Sequence, residues 1–123
     1  MVQRTNNAYN DILPQITDNG MIFWQGWDGH DYEIYSYTFG QSAMIQVTNN
    51  TVGDITPAVK NGVLVWSQWD GNYWQIYREE LGTGLVTQIT NDNYDNKNPR
   101  ITASGQIIWQ KWDGSDYDVY AYK

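Results

Sequence analysis

Three Trp-Asp-Gly triplets begin at Trp27, Trp69 and Trp112, and each sets an indole beside a carboxylate. An aromatic face can stack on a sugar ring while the neighbouring carboxylate accepts hydrogen bonds from its hydroxyls. Trp27, Asp28, Trp69, Asp70, Trp112 and Asp113 are therefore candidate ligand-binding residues. In the structural alternative the Trp packs across a hairpin and the Asp prepares the Gly turn. A second set comprises Asp11, Asp54 and Asn96, each three residues ahead of a proline. Such groups either line a channel and hold a cation or substrate there, or bond the backbone of their own loop.

Catalytic chemistry finds little support. The single histidine, His30, occupies a turn position where the other two copies of the pattern carry Asn72 and Ser115. The chain has no cysteine. It carries no nucleophile elbow and no metal-ligand motif. The stretch DNYDN, residues 92–96, hints at a calcium loop but lacks the EF-hand glycine and terminal glutamate. No catalytic residue, cofactor or metal is expected. Carboxylate pairs for glycoside hydrolysis need one asymmetric site, and these acids are spread evenly.

The triplets belong to a longer pattern. Thr5, Thr48 and Thr90 are followed by Pro14, Pro57 and Pro99, then Gly20, Gly62 and Gly105. Trp24, Trp66 and Trp109 come next, and Tyr35, Tyr77 and Tyr120 close each unit at a period of 42 or 43 residues. A period near 40–45 points to four-stranded propeller blades. Asn19-Gly20 and Asn61-Gly62, the Asp-Gly pairs and a later Gly turn predict hairpins, the Asn-Gly and Asp-Gly ones of two-residue type I′. Four strands follow in each unit, as in PQIT, MIFWQGW, YEIYSYT and AMIQVT. In MIFWQGW apolar residues fall on both parities, as expected of a strand covered on both faces. Mid-strand Trp24, Trp66 and Trp109 then fill the gaps between blades. The fold class is all-β, a propeller with three blades per chain at about residues 8–48, 49–90 and 91–123.

Three segments, DILPQITDNGMIFWQGWDGHDYEIY, DITPAVKNGVLVWSQWDGNYWQIY and NKNPRITASGQIIWQKWDGSDYDVY, carry a family resemblance. The Asp or Asn, the Pro three residues on, the Gly, the apolar strand, Asp-Gly and Ile-Tyr resemble the TolB-like propeller repeat, a distant relative of WD-repeat blades. That resemblance implies a ring of six blades. The family's usual Ser-Pro-Asp-Gly turn is reduced here to TDNG, VKNG and TASG, and Trp is more frequent.

Three blades do not close, since propellers typically need four to eight. The last unit lacks a fourth strand, whereas MVQRT (Met1, Val2, Gln3, Arg4 and Thr5) aligns with MIQVT at residues 44–48. Burying one large apolar side chain is worth roughly 1.5–3 kcal/mol, so two open blade faces forfeit on the order of 10 kcal/mol. Self-assembly is expected, with Met1–Thr5 completing the last blade of a partner. A homodimer gives six blades and a homotrimer nine. The alternative is a fragment, natural or engineered, of a larger propeller.

A formal net charge of −7 argues against nucleic acid as partner. No apolar run is long enough for a membrane span, and the N-terminus has no apolar signal-peptide core. The compartment is left open. Three function classes follow: a non-catalytic scaffold with itself and a protein ligand as partners, a multivalent carbohydrate binder, and a glycosidase-like enzyme.

Overall fold

A computed structural model describes residues 1–122 and shows three antiparallel sheets with no helix among them. Blade 1 pairs β1 (Asp11–Ile16), β2 (Met21–Trp27), β3 (Tyr32–Thr38) and β4 (Ile45–Gln46) in chain order. Blade 2 repeats this with β5 (Asp54–Lys60), β6 (Val63–Trp69), β7 (Trp74–Glu80) and β8 (Leu85–Gln88). Blade 3 has only β9 (Asn96–Ile101), β10 (Ile107–Trp112) and β11 (Tyr117–Tyr122).

Each first strand begins at the Asp or Asn of the repeat, three residues earlier than PQIT predicts, because a bulge lets it run through the proline. Register shifts between Ile12 and Gln15, Ile55 and Ala58, and across Trp109 in blade 3. Leu13, Thr56 and Asn98, each just ahead of the proline, take positive φ of 54°, 53° and 54°. Such a conformation is strained for a β-branched residue like Thr56. Its N–H is held across the seam by Gln25 Oε1 at 2.8 Å. The bulge sets two residues opposite one large indole, as an extra residue in one strand does.

Turn chemistry departs from the uniform type I′ expectation. Only Asn61-Gly62 has both residues at positive φ, with Lys60 paired directly to Val63. Blades 1 and 3 use longer loops, in which Thr17 and Thr102 accept the N–H of Gly20 and Gly105 on their carbonyls. Pro57 and Gly62 are thus one residue closer than their counterparts, which is why the period alternates between 43 and 42. The Asp-Gly pairs also sit in four-residue loops, because the Asp carboxylate, not a second positive φ, reverses the chain.

The core lies between blades. Phe23 and Ile34 of blade 1 meet Val59, Leu64 and Trp66 of blade 2. Val65 and Ile76 of blade 2 meet Ile107 and Trp109 of blade 3. In β6, the second strand of the middle blade, the four consecutive residues Leu64–Ser67 are buried, so both faces are covered as the mixed parity of these strands predicts. The chain's two outermost faces are not. Ile108 is 45% exposed where its counterpart Val65 is 0%, and Val119 is 79% exposed where Ile34 and Ile76 are 0%. At the other end Ile16 is 65% exposed against 7% for Val59.

Fourth strands close blades 1 and 2, each through one threonine. Val47 N and Thr48 N both donate to Ile34 O, while Thr48 Oγ1 accepts Ile34 N at 2.7 Å. Blade 2 repeats this at Ile76, Ile89 and Thr90, with Thr90 Oγ1 accepting Ile76 N at 2.8 Å. Replacing Thr90 by Val keeps the shape and orphans the buried N–H of Ile76. The expected loss is about 1–3 kcal/mol in urea unfolding; a loss below about 0.5 kcal/mol would show that the hydroxyl is dispensable.

Candidate functional site

Mid-strand Trp24, Trp66 and Trp109 are buried, as expected, and their indole N–H groups lead to the second candidate set. Trp24 Nε1 donates to Asp11 Oδ1 at 2.9 Å, Trp66 to Asp54 Oδ1 at 2.8 Å and Trp109 to Asn96 Oδ1 at 2.9 Å. A buried indole needs such a partner. Asp11 and Asp54 therefore bond an indole from the neighbouring strand, and Asn96 does so while its Nδ2 also donates to the backbone of its own loop, at Tyr94 O, 3.0 Å away. Asp54 and Asn96 are fully buried and line no channel.

The residue four positions earlier completes each unit. Asn7 Nδ2 donates to Asp11 Oδ2 at 2.9 Å and Asn50 Nδ2 to Asp54 Oδ2 at 2.7 Å. Blade 3 inverts the pair: Asn96 Nδ2 donates to Asp92 Oδ1 at 3.0 Å. One amide and one carboxylate suffice in either order, since each arrangement supplies one donor and one indole acceptor. Asp92 then also binds Lys111 Nζ at 2.8 Å. Those roles for Asn7, Asn50 and Asp92 were not anticipated, although their four-residue offset is visible in the repeat.

The Trp-Asp-Gly triplets and the loops ahead of each first strand share one face, as the strand order predicts. Trp27 N, Trp69 N and Trp112 N donate to Asn10 O, Gly53 O and Asp95 O of those loops. Asp28 Oδ1 accepts the N–H groups of His30 and Asp31 at 2.8 and 3.0 Å, and Asp70 and Asp113 repeat this. Those donors hold all three carboxyls below their ordinary range. Trp27, Trp69 and Trp112 pack edge-on against Tyr32, Trp74 and Tyr117 at 5.2–5.4 Å. Trp27 and Trp69 are half-buried, and Trp112 is exposed for want of a following blade. Hairpin packing and turn-making thus occupy one edge of each indole and one oxygen of each Asp.

Blade 1 differs from its neighbours in two ways. Gly26 stands where blades 2 and 3 carry Gln68 and Lys111, and a Cβ there would meet Asp11 Oδ1 at 2.7 Å. Asp11 and Tyr35, which crowd Gly26, also line a cavity of about 370 Å³ together with Tyr9, Trp24, Trp27 and Asp28. Next to it, Asp28, Asp31 and Glu33 each bring one carboxylate oxygen within 4.8 Å of the other two. This acidic cluster corrects the expectation that no such group forms. The motif Asp-x-x-Asp-x-Glu wraps a four-residue loop onto the start of β3, a geometry that linear spacing does not reveal. Burial, with Glu33 beside it, pushes Asp31 up to about 6. Burial also pushes Asp54 up to about 7, against the pull of its Asn50 and Trp66 hydrogen bonds.

The folded chain thus holds a proton on Asp54 from about pH 4 to 7 that the unfolded chain has released. That contribution to stability is complete below the ordinary Asp value of 3.8 and disappears as pH rises through about 7. The slope for one proton is about 1.4 kcal/mol per pH unit. Asp54→Asn, which copies blade 3, should fall less in unfolding free energy between about pH 4.5 and 7.5, in buffer with a chelator. Equal slopes for the two chains would refute this.

No family model and no curated protein matches the chain. Solved structures do. TolB from Acinetobacter baumannii superposes with a TM-score of 0.79 at 20% identity, over 94% of this chain and 30% of that one. A chain of a nidogen/laminin complex gives 0.71 at 9% identity, over 93% and 44%. A puromycin hydrolase gives 0.69 at 14% identity, over 88% and 19%. The chain thus spans less than half the length of each. At such identities the likeness is one of fold, and the same fold serves binding and catalysis. The chain carries three blades with the fold of TolB-like β-propellers.

Proposed function

We propose that the chain is a non-catalytic propeller scaffold, an interaction module that completes its ring with a second copy of itself. The observation that carries this is the complementarity of its two bare faces. Ile108 and Val119 occupy the positions that Phe23 and Ile34 fill in the first seam, and Ile16 occupies that of Val59. Joining the two faces would reproduce a third seam of the same composition.

The N-terminal segment fits the same scheme. Met1–Thr5 pairs with no strand among the described residues, and Arg4 lies over the rings of Tyr37 and Phe39 at 5.4 and 5.1 Å. Thr5 and Asn7 match Thr48 and Asn50 of the first repeat, so in the assembled ring Thr5 Oγ1 would accept the N–H of the partner's Val119. Six blades require two copies, and nine require three with wider angles between blades. A non-catalytic role accords with the carboxylates: Asp11 and Asp54, which a glycosidase would need, are engaged by indoles.

Light scattering behind size exclusion is expected to give twice the 14.3 kDa chain mass. Val119→Lys should return a folded monomer, since an ammonium cannot enter the seam. A native chain that stays monomeric and folded at every concentration would overturn the assembly; three times the chain mass would replace six blades with nine.

A second reading, carbohydrate binding, is favoured by the cavity that Trp27, Tyr9 and Asp28 help to line. It predicts glycan capture on an array that Trp27→Ala abolishes while the mass is unchanged. Capture unaffected by that change, or none at all, would remove this reading.

A further inference from the structure

We propose that Asp28, Asp31 and Glu33 form a binding site for a calcium-class divalent cation at the seam between blades 1 and 2. Three carboxylates meet there with one oxygen from each within 4.8 Å of the others. Calcium–oxygen distances are about 2.3–2.6 Å, so oxygens on opposite sides of one ion lie up to about 5 Å apart. The spacing therefore admits a single ion between all three.

The second observation is an orphaned acceptor. Glu33 is 0% exposed; its Oε1 accepts Asn50 N at 3.0 Å, but its buried Oε2 has no partner. Asp31 Oδ1 is buried and unpartnered as well. Leaving one such atom without a donor costs about 1–3 kcal/mol, more when it is charged. Among the described residues no lysine or arginine pairs with these acids; the one basic side chain beside them is the exposed His30, 4.0 Å from Asp28. A hard cation would satisfy both orphaned oxygens and offset the negative charge.

Blade 2 provides an internal comparison. Gln75 occupies the position of Glu33, and its Nε2 donates to Asp70 Oδ2 at 3.0 Å and to Asp92 O at 2.7 Å. There an amide supplies the positive end, Tyr73 replaces Asp31, and no oxygen of Asp70 or Gln75 is orphaned among the described residues. Blade 1 has the same loop with the donor removed and an acid added. Blade 3 also gathers acids, Asp113, Asp116 and Asp118, but all are exposed and none is an orphan. Calcium suits the blade 1 site better than magnesium, which demands near-octahedral geometry at about 2.0–2.1 Å. The site lies within one chain, so it stands or falls independently of ring closure.

Calcium titration by calorimetry tests this on the full chain, with Asp116→Asn and Asp118→Asn installed to silence blade 3. Terbium luminescence excited through Trp27 and Tyr32, which flank the loop with their rings 5.2 Å apart, provides a second readout. One ion per chain is expected, with a Kd of about 10⁻⁵–10⁻³ M and a calcium-dependent rise in melting temperature. Glu33→Gln, which installs the amide that blade 2 tolerates, should weaken binding at least about tenfold and keep the near-ultraviolet circular dichroism of the fold. Asp31→Asn should weaken it similarly and serves if Glu33→Gln does not fold. Calcium binding that both variants leave unchanged would overturn the site, as would no heat and no thermal shift at about 5 mM calcium.

Discussion

Every blade of this chain turns on one buried hydrogen bond, the indole N–H of its mid-strand Trp given to an Asp or Asn on its first strand. The indole supplies much of the apolar area that one blade offers the next, and it brings a polar atom into a dry seam. Without an acceptor that atom would cost about as much as one buried side chain returns. The acceptor must reach from the adjacent strand, and the bulge ahead of the proline gives it room. Positive φ at Leu13, Thr56 and Asn98 is the local strain that accompanies this arrangement.

Repetition lets three versions of that unit be compared within one molecule. Asn50–Asp54 and Asp92–Asn96 are donor–acceptor mirror images that serve equivalent indoles, Trp66 and Trp109. The charge left over differs. In blade 2 the Asp54 carboxylate stays in the seam near Glu33, and burial raises its proton affinity. In blade 3 the carboxylate moves outward to Asp92, where Lys111 meets it.

Seams that are good at burying apolar area leave a chain of three blades with two unburied faces. Both are apolar and of the same make as the covered ones, so exposure at Ile16, Ile108 and Val119 follows from position, not from composition.

Much of this was legible in the residues. Period, paired glycines and mixed-parity strands determined the number of blades and the four-strand order, because strand pairing and turns depend on local spacing. They also determined that Trp24, Trp66 and Trp109 are core, since a mid-strand indole apolar on either parity has only a seam to enter. Tertiary structure alone decided which groups meet across strands and seams. Asp11, Asp54 and Asn96 take indoles twelve or thirteen residues away, and the Asp-Gly loops turn on a carboxylate. Asp28, Asp31 and Glu33 converge only once the loop is wrapped onto β3 and capped by Asn50. Periodicity reports which face a side chain is on; the partner it finds there depends on register, bulge and neighbouring blade, and these are fixed only when the sheets stack.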